Sequence, residues 1–131
     1  MGENGNKPLM GSELPSKDFG RELEARTRRF AVMIIKLSGR LPKTTETMVI
    51  RNQLTKAGTS VGANYREANR ARSRADFKSK IRICESELSE AQYWLEVIVE
   101  AGWTHQRDIE SEADECRQLL ALFSSIAKSC A

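Results

Sequence analysis

Apolar side chains recur along this chain at steps of three and four, the spacing that lines one face of an α-helix, and strand-like alternation is absent. The most regular series is Phe77, Ile81, Cys84, Leu88, Ala91, Leu95 and Ile98. Ser73 followed by Asp76 is a variant of the capping box and opens this helix, and Gly102 ends it. Ile83, Trp94 and Val97 flank the stripe, so the helix has a face wider than a two-helix seam needs and should touch more than one neighbour. An earlier helix is predicted from about Asp18 to Ser38, with Phe19, Leu23, Phe30, Ile34 and Leu37 inward, Gly39 as its C-terminal stop and Pro42 in the following turn. Another starts at Thr44 or Thr45 and runs to about Arg70 on the stripe Leu54, Ala57, Val61, Asn64 and Ala68. A last helix, with Thr104 as its cap, carries Ile109, Ala113, Cys116, Leu120, Phe123 and Ala127 beside a parallel stripe of Leu119, Leu122 and Ile126.

Four helices with short connections predict an all-α fold, an antiparallel up-and-down four-helix bundle over residues 17–131. Its two middle helices should be about 40 Å long at a rise of about 1.5 Å per residue. Residues 1–16 hold glycine, proline, lysine and serine without periodicity and read as a flexible leader.

The stripe of the second helix contains one polar residue, Asn64, and beside it stand Gly58, Ser60, Gly62 and Ala63. Each glycine costs a helix interior roughly 1 kcal/mol relative to alanine, so something should offset it. Small residues permit close approach of a neighbouring backbone, and an amide on an apolar stripe needs hydrogen-bond partners. Two readings stay open for Gly58, Ser60, Gly62 and Asn64: a tight helix crossing within the chain, or a contact between subunits.

Charge is unevenly distributed along the chain. Residues 40–82 hold eleven basic and three acidic side chains, a balance of +8, whereas residues 83–131 hold three and ten, a balance of −7. The formal net charge of +3 hides this asymmetry. The basic cluster is Arg66, Arg70, Arg72, Arg74, Lys78, Lys80 and Arg82, around the joint between the second and third helices. It could attract the phosphates of a nucleic acid, or be neutralised by the acidic third of the same or a neighbouring chain.

A chain of 131 residues is about one domain and long enough to bury a core. No uncharged apolar stretch of about 18 residues occurs and no signal-peptide pattern opens the chain, so a cytoplasmic protein without a membrane partner is expected. Three cysteines without a CxxC spacing agree with that compartment and suggest neither disulfides nor zinc. The only histidine, His105, stands at a predicted helix start, which leaves no inward Glu-x-x-His pair for a di-iron bundle. Walker loops, GxGxxG and a Ser-His-Asp set cannot be assembled, and the acidic residues Asp108, Glu110, Glu112, Asp114 and Glu115 are spread around their helix rather than converging on a cation. A non-enzymatic protein without a cofactor is the expectation.

The run Ser60-Val61-Gly62-Ala63-Asn64-Tyr65-Arg66-Glu67-Ala68, followed by Arg70 through Asp76-Phe77 and then Ile81, Glu85, Leu88 and Glu90 to Leu95, resembles the four-helix-bundle protein family encoded by intervening sequences in bacterial 23S ribosomal RNA genes. The resemblance covers about residues 18–128. It implies a simple four-helix fold that tends to assemble as ring-shaped homopentamers. The accessory variability protein of diversity-generating retroelements is a relative in fold and ring assembly, and binds a reverse transcriptase and its template RNA through basic surface. The implied function is that of an oligomeric binding protein for RNA or DNA. The alternative is a protein-binding scaffold, whose basic joint docks an acidic partner or a neighbouring subunit. The direction of the arginines separates the two: pairing with Glu85, Glu96 or the acidic cluster favours the scaffold, and a solvent-facing set favours nucleic acid.

Overall fold

The computed structural model describes residues 17–130, and the predicted leader, residues 1–16, lies outside them. The described residues form helices α1 (Lys17–Gly39), α2 (Thr45–Ala68), α3 (Arg74–Glu100) and α4 (Glu110–Ser129), with no strand among them. At about 1.5 Å per residue, the 27 residues of α3 span about 40 Å and the 24 of α2 about 36 Å. Among the described residues no helix is long and apolar enough to cross a membrane.

Local chemistry starts the middle helices where the sequence signals it. The Thr44 hydroxyl accepts from the Thr47 amide at 3.1 Å, and the Ser73 hydroxyl accepts from the Asp76 amide at 3.0 Å, each satisfying a donor that the first turn leaves unpaired. Thr104 does not cap the last helix. A short 3₁₀ turn, Gln106–Asp108, precedes α4, and Ile109 stands at the cap position with no side-chain bond. Burial of the Ile109 side chain selects the later start. Gly39 is not a left-handed stop either, because Gly102, at φ 79°, is the only described residue with positive φ. After α1 the chain turns through amide bonds from Arg40 to the Leu37 carbonyl and from Leu41 to the Ser38 carbonyl, with the Leu41 side chain buried.

Pairings across α1 and α2 run in opposite directions. Thr55 donates to Ser38 at 3.0 Å, Gly58 faces Ile34, Gly62 faces Thr27, and Asn69 meets Gly20 and Glu24. The same order holds between α3 and α4, where the Cys116 thiol donates to the Leu88 carbonyl at 3.3 Å and Ser124 donates to Glu85 at 2.6 Å. A second thiol contact, Cys84 to the Val61 carbonyl at 3.4 Å, ties α3 to α2. Arg26 bridges α1 to α4, its guanidinium donating to both Glu115 carboxylate oxygens at 2.7 and 3.0 Å. That hydrogen bond holds the Arg26 proton more tightly than usual, against a partial desolvation.

All seven positions of the α3 stripe are buried, and so are Leu23, Phe30, Ile34 and Leu37 of α1. Thr27 fills the gap between Leu23 and Phe30, because its hydroxyl is satisfied by the Leu23 carbonyl one turn back at 2.9 Å. On α2 the inward residue after Val61 is Tyr65 rather than Asn64. The Asn64 amide donates to the Ser60 carbonyl of its own helix at 2.9 Å, so it stays at the margin of the core without a partner on another helix. The Tyr65 ring meets Phe123 of α4 edge to face at 5.4 Å. Ile109 at the cap and Glu112, Cys116, Leu119, Phe123, Ile126 and Ala127 of α4 are deeply buried, and Ala113 and Leu120 of the expected stripe are only partly covered. Both stripes lie within one wide apolar sector, and the approach of α1 and α3 selects the residues between them.

Candidate nucleic-acid interface

The joint between α2 and α3 begins with three backbone amides that have local acceptors. Asn69 closes α2 by donating its amide to the Tyr65 carbonyl at 3.1 Å, and Arg70 and Ala71 donate to Glu67 and Ala68, each at 3.0 Å. Ser73, extended at φ −155° and ψ 165°, starts α3. Within five residues this geometry presents Arg70, Arg72 and Arg74, all exposed, and none of them pairs with a carboxylate among the described residues.

The other members of the predicted cluster have different surroundings. Lys78 and Lys80, half-buried on the first turns of α3, continue the basic surface without ion pairs among the described residues. Arg66 lies 3.7 Å from Glu24 of α1, and Arg82 lies 3.1 Å from Glu85 one turn along its own helix. The Ser124 hydroxyl, helped by Arg82, holds the Glu85 carboxyl below the usual carboxylate range. The cluster is thus a solvent-facing centre of three arginines between flanks that the chain's own carboxylates partly neutralise.

A depression of about 330 Å³ opens beside that centre. Arg72, Arg74, Ser73 and Asn69 stand at its rim and sides, and buried Ala68 and Phe77 with half-buried Ala71 close its base. No carboxylate lines it. Three other depressions do contain carboxylates: Glu85 and Glu90 between α3 and α4, Glu110 and Asp114 at the start of α4, and Glu24 and Glu67 between α1 and α2. The two guanidinium groups and the absence of a carboxylate among the lining residues make the rim of this depression suited to an anion.

The acidic end carries its own partners. Glu115 meets Arg26, Asp114 meets Arg117 at 2.7 Å, and Glu112, almost fully buried, lies 3.7 Å from Arg40 and accepts from the Ser111 hydroxyl at 3.1 Å. Among the described residues, no group of three or more His, Cys, Asp or Glu side chains is placed to hold a metal ion. His105 is exposed and makes no cap bond.

The small-residue positions lie on a different side. A Cβ at Gly58 would stand 2.8 Å from two carbons of Ile34, and one at Gly62 would stand 3.1 Å from the Thr27 hydroxyl, so both glycines face α1 of the same chain. The Ser60 hydroxyl donates to the Ala57 carbonyl at 3.1 Å, and with Asn64 it satisfies itself within α2. A profile of 23S rRNA-intervening sequence proteins matches residues 22–125, a span that contains all four helix cores and the joint. The chain belongs to the 23S rRNA-intervening sequence protein family. No curated protein is similar to it at a significant level. A crystal structure of a protein with unknown function from the S23 ribosomal protein family of Bacteroides thetaiotaomicron VPI-5482 is similar, at 35% identity and a TM-score of 0.75, and the alignment covers 81% of this chain and 98% of that one.

Within this family member the residue that sequence reasoning missed is Asn69. Its carboxamide donates to Glu24 of α1 at 2.8 Å while it lines the depression, so it ties the joint to the first helix. An asparagine directly after a helix is a capping signal, but its reach to Glu24 depends on where α1 lies.

Proposed function

We propose that this family member is a non-enzymatic, oligomeric protein that holds RNA or DNA by the phosphate backbone, through the surface formed by the end of α2 and the start of α3. The observation that carries the reading is the arrangement of Arg70, Arg72 and Arg74: three exposed guanidinium groups without carboxylate partners among the described residues, beside a depression without a negative group. An internal ion-pair network would have left them paired, as it leaves Arg26 with Glu115. Affinity for duplex nucleic acid falls with salt by about 0.9 in log–log slope per phosphate neutralised, so these three contacts give a slope of about −2.7 per subunit. Assembly multiplies such a modest term, because linked copies bind one strand together. Val32 and Ile35 of α1 and Met48 and Val49 of α2 are large apolar side chains left exposed, and they provide surface on which copies can meet.

The test is fluorescence anisotropy with labelled structured RNA and duplex DNA across a salt series, with solution mass measured on the same sample. A steep slope and an oligomeric mass are expected, and Arg66, Arg70, Arg72 and Arg74 changed together to glutamate should abolish binding while helicity stays. Retained affinity in that variant sinks the reading. The Arg66–Glu24 and Arg82–Glu85 pairs favour a second one, in which the joint docks an acidic protein surface, such as that of a reverse transcriptase or a neighbouring subunit. Absence of nucleic-acid binding at low salt, with retention of an acidic protein partner, would establish it.

A further inference from the structure

The form of the basic joint goes beyond its charge. A duplex presents phosphates on a convex ridge, and a flat or convex set of arginines is enough to contact it. Here the arginines border a concavity of about 330 Å³, at the lower end of the range of about 300–1,000 Å³ in which proteins enclose small organic groups. Its base is apolar: Ala68 is 1% exposed and Phe77 is 3% exposed. A phosphate has no use for an apolar base, since a charged group placed there loses water without gaining a donor.

The sides suit a flat heteroaromatic group. The planar guanidinium groups of Arg72 and Arg74 can stack on a base while still facing the neighbouring phosphates. Asn69 donates its Nδ2 to Glu24, which fixes the carboxamide at the side of the depression as a neutral polar group. Arg70 and Lys78 are next in sequence to lining residues at the two ends of this segment and add positive charge there. A strand whose base entered the depression would therefore keep phosphate contacts both before and after that nucleotide.

We infer that the depression between Asn69, Arg72, Arg74 and Phe77 receives the base of one unpaired nucleotide, so that this protein prefers nucleic acid with a bulge or a single-stranded segment over uninterrupted duplex. This rests on the backbone-binding reading given above. Bases inside a duplex are stacked and cannot enter, whereas bases in loops, bulges and ends are free to splay onto arginine or aromatic surfaces. The same base chemistry is present in a free mononucleotide. The flanking cations assign the site to a strand, which supplies phosphates on both sides.

The experiment compares four probes on the intact protein at one salt concentration: a blunt RNA duplex, the same duplex with a one-nucleotide bulge, a single strand of equal length, and a free nucleoside monophosphate as competitor. Bulged and single-stranded probes should bind at least about tenfold more tightly than blunt duplex, and the mononucleotide should compete weakly. Ala71→Leu, which fills the depression, and Arg72→Lys, which keeps the charge but removes the flat stacking surface, should each bring the ratio of bulged to blunt affinity towards one. Helicity by circular dichroism checks the fold, and if Ala71→Leu does not fold then Arg72→Lys carries the test. Equal affinity for blunt and bulged duplex would overturn the inference while leaving the backbone reading intact. Failure of every probe to bind at low salt would overturn both. Competition by the mononucleotide as strong as that of the strand would overturn the assignment to a strand.

Discussion

Residues 53–68 and residues 69–74 adjoin in the chain and meet opposite fates. In the first stretch Gly58 and Gly62 turn towards α1, Tyr65 and Val61 are fully buried, and the polar groups of Thr59, Ser60 and Asn64 bond back to their own helix. In the second, Arg70, Arg72 and Arg74 remain in solvent without a partner among the described residues. The buried half gains stability from apolar area and close approach, at roughly 25 cal/mol per Å² removed from water. The exposed half gains none from its charges, since unpaired surface cations in high dielectric contribute little to folding. What stability does not require of a cluster is left for binding.

Charge reversal at Arg66, Arg70, Arg72 and Arg74 should have the largest effect. Nucleic-acid binding should disappear by anisotropy, while the thermal midpoint moves by no more than a few degrees, as expected for exposed positions. A cooperative loss of fold would show that the joint carries structure after all.

Alkaline titration addresses the buried half next. Burial pushes the Tyr65 hydroxyl up to about 12, and the Cys84 and Cys116 thiols up to about 12. The folded-state values exceed those of the unfolded chain, so the native state keeps these protons after the unfolded chain has begun to release them. Their stabilisation is complete below about pH 9, where unfolded thiols start to ionise, and is lost as pH rises towards 12, by up to about 1.4 kcal/mol per unit for each group. Urea unfolding from pH 8 to 11 should show the decline, and a flat profile would mean that these groups reach solvent. A thiol reagent at neutral pH should modify half-buried Cys130 first and reach Cys84 and Cys116 only on unfolding.

Gly58→Ala gives a smaller effect. The new Cβ would lie 2.8 Å from the Ile34 Cγ1 and Cγ2 atoms, and the overlap should outweigh a helix-propensity gain of about 1 kcal/mol, leaving a net loss of about 1–2 kcal/mol in denaturant unfolding. Gly62→Ala has the least effect. Its nearest neighbour, the Thr27 hydroxyl at 3.1 Å, gives more room, and the balance should stay within about 1 kcal/mol of wild type. If the two variants behave alike, the crossing is tightest somewhere other than Ile34.

Much of this fold can be read from the chain because each helix carries its own signals. The apolar step of α3, the Ser73 and Thr44 caps and Gly102 are local features, and local hydrogen bonds and dihedral preferences determine them. The failures share a cause. Asn64 and Tyr65 are adjacent, both near the core side of α2, and only the position of α1 and α4 decides that the ring goes in. The α4 stripe shifts for the same reason, since a wide apolar sector admits more than one inward line. At the joint, the sequence shows seven cations but not that Arg66 and Arg82 reach Glu24 and Glu85 while Arg70, Arg72 and Arg74 reach no carboxylate among the described residues.

Periodicity, caps and charge asymmetry thus determined four helices, their order and a basic joint without reference to any long-range contact. Which neutral and charged side chains face one another was decided only when the helices packed. Glu24, Asn69 and Arg66 are up to 45 residues apart in sequence, and their meeting depends on the register at which α1 and α2 cross, for which a linear chain carries no direct signal.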